Sequence, residues 1–388
     1  MLVLFRTLLL LFSFIGLVAC SSLSTEDSTT VKPAELTSVK KETVKLQEVW
    51  SFNVGKGVND RFEQLVPAMD GDKVFAASVD GHVVALDKKT GKKIWQQPLD
   101  KLQVSGAIDA GYGKVVLGTI NGFVVALDQK SGKPLWKHKV SSEVLVTPKI
   151  AGNFIIVKTI DDVITVLSAN DGKEIWNQKV LQPALTLRGS SAPVIDRDAV
   201  FTGYANGEAK AYRLKDGLQL WETRVSVPKG STELERMVDI GGAPLIVGDM
   251  LYVSGYRGNV AALDIYNGKT RWSKPVSGFQ SLAEGFGLLY VVDQQGVVRA
   301  LDQKTGASGW QYDRLKGRQL TAPQTFSSVV AVGDYEGYLH LLSQVDGSLV
   351  GRFKVSSSAI KAQPVTDGDR FYILDTNGKL FALSKSDK

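Results

Sequence analysis

The sequence predicts an all-β chain folded as an eight-bladed propeller of four-stranded antiparallel blades, and three observations predict it. A phrase, "ALDKKTGKKIW" at 85–95, returns as "ALDQKSGKPLW" at 126–136 and then in fading versions almost to the C-terminus. Aligned on the turn before each such strand, the chain gives Gly81, Gly122, Asp162 in place of Gly, Gly207, Gly258, Gly296, Gly337 and Gly378, spaced 38 to 51 residues apart. That is the length of one four-stranded blade. Thirty-eight glycines against four methionines, with short apolar runs broken by DG, NG and TG, describe strands and tight turns rather than helices.

From the N-terminus, Arg6 precedes the apolar stretch "LLLLFSFIGLVA" at 8–19. It is too short to span a bilayer as a helix and has the shape of a secretory signal, so residues 1–19 are expected to be removed. Cys20 is the only cysteine of the 388 residues, which excludes an intrachain disulfide and any multi-cysteine metal site. Leu17-Val18-Ala19-Cys20 resembles the bacterial lipobox, and the resemblance implies cleavage before Cys20 and lipidation of its thiol. Several acyl chains make a stable anchor, at about 0.8 kcal/mol per buried methylene. Ser21 follows where many Gram-negative lipoproteins kept at the inner membrane have Asp, so the resemblance points to the outer membrane, at its periplasmic face. Residues 20–46 are rich in Ser, Thr, Lys and Glu without an apolar period and are expected to form a flexible tether, leaving 47–388 as one folded domain.

Within each unit the grammar repeats: a short strand near a proline, then runs such as "KVFAAS", "HVVALD" and "KKIWQQP". Asp80-Gly81 and Asn121-Gly122 supply the positive φ of two-residue hairpin turns, and Thr90-Gly91 and Ser131-Gly132 serve the turn before the outer strand. Trp95, Trp136, Trp176, Trp221, Trp272 and Trp310 follow that second glycine at one spacing, with Phe353 assigned to the seventh unit. Such regular placement marks the rings as packing between blades, each contributing at most roughly 4 to 6 kcal/mol by area. The last unit ends at "LFALSKSDK" without a fourth strand, while "EVWSFNV" at 48–54 is a fourth strand without the preceding three. Joined, the two finish the eighth blade and close the ring.

The formal charge of +6 is spread over the chain without a basic run, which excludes a nucleic-acid footprint. His82, His138 and His340 occupy different blade positions with no metal-ligand spacing, and Asp87, Asp128, Asp264 and Asp302 recur as turn residues after "AL". The repeats resemble those of the quinoprotein family, whose dehydrogenases hold pyrroloquinoline quinone above calcium. The vicinal cysteines typical of those enzymes have no counterpart here, so a quinone-dependent oxidoreductase or a small-molecule-binding propeller is the alternative and no cofactor is expected.

In a repeat protein, function is written where units differ. Two units do: "LQPALTLRGSS" at 181–191 and "VPKGSTELERMVDIGG" at 227–242 lengthen consecutive connections between an outer strand and the next inner one. Strand alternation puts both on one face, which is expected to expose Leu185, Leu187, Arg188, Glu233, Glu235, Arg236 and Asp239. Apolar residues flanked by Arg have the composition of a protein-binding hot spot. Lipobox, tether, eight units and these insertions together resemble the BamB family, lipoprotein propellers of the bacterial outer-membrane β-barrel assembly machine. The resemblance implies a non-enzymatic scaffold that docks the POTRA domains of BamA and assists folding and insertion of outer-membrane proteins, unfolded chains of which are a further implied partner. Carried over by position, the docking residues are Leu185, Leu187, Arg188, Arg236 and Asp239; Gly241 stands where the family has a second aspartate.

Overall fold

In a computed structural model, which describes residues 32–59, 61, 63–189 and 191–386, the apolar runs become the middle strands of blades. Blade 1 consists of Ala68–Asp70, Lys73–Ala77, His82–Asp87 and Lys93–Pro98, hydrogen-bonded in that order. Val83, Val84, Ala85 and Leu86 are all wholly buried, because a middle strand is covered on both faces by neighbouring blades. The outer strand instead alternates, with Trp95 buried between exposed Ile94 and Gln96.

The pattern recurs over 104–139, 149–179, 194–224, 245–274, 283–312 and 324–354, giving blades 2 to 7. Blade 8 takes Val365–Thr366, Arg370–Leu374 and Lys379–Lys385 from the C-terminus and Leu46–Asn53 from the N-terminus. The joining pair is antiparallel, with Gln47 opposite Ser384, Trp50 opposite Ala382 and Asn53 opposite Lys379. Among the described residues every strand belongs to one of these eight sheets, and the ring is closed as the complementary ends require.

The tryptophans join blades through a repeated hydrogen bond as well as burial. Trp95 Nε1 donates to the Gln129 carbonyl of blade 2 at 3.0 Å, and the same bond links Trp136 to Ala169, Trp176 to Leu214, Trp221 to Ile265, Trp272 to Gln303, Trp310 to Gln344 and Trp50 to Lys88. The second-turn glycine has a further reason to be glycine. Gly132 has φ +73, and a Cβ there would lie 2.6 Å from the Trp95 ring of the preceding blade. Beside each tryptophan a β-bulge adds one residue to the outer strand, as Ile94 between the pairs Ala85–Trp95 and Leu86–Lys93, and this re-aims the ring inward.

Blade 7 departs from expectation. Register places Gly351, not Phe353, at the tryptophan position, opposite Leu341. The space is filled by the backbone of Val44, whose carbonyl oxygen would lie 2.3 Å from a Cβ on Gly351. Phe326 and Phe371, 4.4 Å apart, supply the aromatic contact between blades 7 and 8. The segment carrying Val44 is part of the compact unit Pro33–Lys388, so residues 33–46 of the expected tether are not free chain. Thr43 and Val44 donate their N–H groups to the Val350 carbonyl, and Ala34 donates to that of Lys316. The signal segment 1–19 and Cys20 lie outside the described residues.

Candidate functional site

The two insertions leave outer strands Glu174–Lys179 and Gln219–Arg224 and meet on one face. Two hydrogen bonds tie them together: Leu187 N–H donates to Asp239 Oδ1 at 2.9 Å, and Ser191 Oγ donates to the Gly242 carbonyl at 2.8 Å. The first insertion is also fixed to its surroundings by Gln182, which donates to the Ile160 carbonyl, while Arg188 makes a solvent-exposed 2.7 Å ion pair with Glu143 that adds little to the frame. The second bridges blades 4 and 5, with Ile240 N–H bonded to the Tyr204 carbonyl and Tyr256 N–H to that of Asp239. Buried Met237, Val238 and Ile240 hold it down.

What remains outside is a mixed surface. Leu185 is 47% exposed and Leu187 half-buried, while Arg188, Glu233 and Arg236 are exposed. Leu181, Val227 and Leu234, which the sequence reading did not single out, are exposed on the same two insertions. Their signal was present, as apolar residues inside otherwise polar inserts. Glu235 is spent locally: its carboxylate accepts the N–H groups of Ser231 and Thr232, which holds it below the ordinary glutamate range, while Thr232 Oγ1 accepts Glu235 N–H.

Asp239 differs from its expected role. It is 1% exposed, so it does not present a carboxylate to a partner; it holds Leu187 from beneath. Burial pushes its carboxyl up to about 7, against the opposing pull of its backbone hydrogen bonds, and its Oδ2 has no protein partner. Beneath it lies a second buried group that explains the odd Asp162 of the repeat. Asp162 accepts from wholly buried Lys158 at 2.8 Å through Oδ1 and from Ala205 N–H at 3.1 Å through Oδ2. Lys158 also donates to the Gly203 carbonyl and lies 4.2 Å from the centre of the Tyr204 ring. Burial lowers its pKa, with Asp162 opposing. The position is lysine in blade 3 alone, so a scaffold residue has been exchanged for a cation that ties blade 3 to blade 4. At Gly241 a Cβ would lie 2.9 Å from the Phe279 carbonyl oxygen, which leaves no room there for the family's second aspartate without a shift.

The other titratable candidates do not converge. His82 lies beside Asp80, His138 is on the outer strand of blade 2, and His340 is buried between Asp334 and Arg352. Among the described residues no group of three or more His, Cys, Asp or Glu side chains is placed to hold a metal ion. The opposite face carries an open depression of about 690 Å³ lined by Tyr112, Lys149, Phe154 and Arg197.

A family model described as outer membrane protein assembly factor BamB matches residues 34–117, 102–312 and 294–388. The assembly factor BamB of Pseudomonas aeruginosa is 46% identical over 370 residues, covering 95% of this chain and 96% of that one. Among solved structures, BamB from Moraxella catarrhalis superposes with a TM-score of 0.81 at 27% identity, over 88% of this chain and all of the other. A quinohemoprotein alcohol dehydrogenase from Comamonas testosteroni, with a TM-score of 0.70 over 89% of this chain and 78% of its own, is 14% identical and shares the fold alone. The chain belongs to the BamB family of outer membrane protein assembly factors.

Proposed function

We propose that this chain is a non-enzymatic scaffold of the outer-membrane protein assembly machinery, lipid-anchored through Cys20 at the periplasmic face, whose inserted loops dock onto the POTRA region of BamA. The observation that carries the reading is the division of labour within the insertions. Asp239, Glu235 and Ser191 are consumed in holding the loops, while Leu185, Leu234, Arg188 and Arg236 are left outward. Exposed leucines beside arginines, on loops braced from below, have the chemistry of a preorganised protein contact. A closed ring suits this role because each blade is held on both sides, so a load on one loop is shared by the frame.

A photocrosslinking residue placed at Leu185 tests the reading in cells. Crosslinks to BamA from position 185, with none from Tyr112 on the opposite face, are expected. Crosslinks from Tyr112 alone would place the contact elsewhere.

A further inference from the structure

Residues 33–45 run as an extended strap along blades 6 and 7, held by a built clamp. Arg318 Nη1 donates to the Ala34 carbonyl at 2.9 Å and Arg352 Nη1 to the Thr37 carbonyl at 2.7 Å. Both arginines are fixed from behind: Arg318 Nε donates to Asp334 Oδ2 at 2.8 Å, His340 Nε2 meets the same oxygen at 2.8 Å, and Arg352 Nε reaches His340 Nδ1 at 3.1 Å. Arg318, Asp334 and His340 are buried. Leu36 seats its side chain against the buried cluster that contains Val292, Leu315, Leu320 and Leu342. At the other end, Val44 fills the place where six other blades and the N-terminal strand carry tryptophan. The strap is therefore part of the ring's wall.

From this geometry we infer that the strap, rather than the first propeller strand, is where the membrane tether ends, so the side wall at the junction of blades 6 and 7 is the one held toward the phospholipid bilayer. The inference rests on the reading that Cys20 is lipidated. Without the strap, 26 residue steps would separate Cys20 from Leu46 on blade 8; with it, 13 separate Cys20 from Pro33. A chain of that shorter length can span at most about 45 Å, against about 90 Å for the longer one. Residues 32–45, the strap and the lysine just before it, carry four lysines against two glutamates, a balance suited to an anionic lipid surface. The insertions lie two and three junctions away around the ring, which leaves them free for a protein partner.

The test uses the full lipidated chain on vesicles containing an acceptor-labelled lipid and anionic phospholipid. Donor dyes go on Asp313→Cys, at the junction of blades 6 and 7, or Asp100→Cys, at the junction of blades 1 and 2; both native residues are exposed. The two sites flank blade 8 at equal angular distance, so a tether ending at Leu46 gives equal energy transfer. Higher transfer from position 313 supports the inference; equal transfer, or higher transfer from position 100, overturns it. Leu36→Asp with Arg352→Lys should abolish the difference. Since that variant could weaken the ring, a flexible insertion of about ten residues after Ser28 lengthens the leash without touching the fold and should narrow the difference too. Vesicle association that survives Cys20→Ala, or never occurs, removes the anchor reading and the inference with it.

Discussion

Replacing Asp239 by asparagine should stabilise the protein above neutral pH and leave partner docking intact, whereas alanine should weaken docking. The carboxyl is buried, donates nothing to solvent and accepts one N–H, from Leu187. Burial raises it from 3.8 to about 7. Its folded form therefore holds a proton that the unfolded chain releases near pH 4, so stability falls as pH rises between those values. Above pH 7 the full cost is about 4 kcal/mol. Asparagine keeps an oxygen for Leu187 N–H and cannot ionise; its amide hydrogens replace the unpartnered hydroxyl of the protonated acid. Below about pH 4, where both folded and unfolded chains hold the proton, the two proteins should then melt together, and near pH 8 the variant should melt about 5 °C higher for a chain of this size. Thermal unfolding at both pH values, with BamA binding measured alongside, checks this. A variant that loses stability at pH 8, or loses binding as fully as Asp239→Ala, would show an ionised carboxylate working on Lys158 or on the partner and refute the reasoning.

Trp95→Ala should cost about 3 to 5 kcal/mol through the lost burial and the lost bond to Gln129, without moving the insertions. Gly132→Ala should also destabilise, and the double variant should cost less than the sum, because removing the ring makes room for the new Cβ; denaturant unfolding of the cycle measures that coupling. His340 is pushed below the ordinary histidine value by burial, although Asp334 pulls the other way. The unfolded chain thus takes up a proton first, and stability present above about pH 6.5 is lost as pH falls below it; melts of His340→Gln should show a shallower acid loss than the native chain.

Most of the fold was legible because a repeat states its grammar eight times. The tryptophan spacing, the turn glycines and the complementary ends each followed from periodicity. Phe353 was misassigned because aromatic character outweighed register: counting four from Gly347 lands on Gly351, whose tryptophan is replaced by chain from the far end of the sequence. The strap at 33–45 has no apolar period, since an extended segment clamped through its carbonyls needs only Leu36 and Val44 to anchor it. The insertions were visible as extra length, but the direction of Asp239 was not. Its partners are Leu187 of the other insertion and the Tyr256 N–H of blade 5, long-range contacts that no local pattern records. One turn also shifted: Arg257, not Gly258, takes the left-handed conformation in blade 5, and Gly258 is small to admit Ser226.

The central claim is that the outward residues of the two insertions are the docking surface. The most direct test is the affinity of residues 21–388 for the POTRA region of the same organism's BamA, compared among the native chain, Leu185→Asp and Arg188→Ala. Arg188 and Leu185 are exposed and contribute little to the frame, so both variants should melt as the native chain does. The account predicts at least about a tenfold loss of affinity in each, about 1.4 kcal/mol. Unchanged affinity in both, with the fold intact, would contradict it.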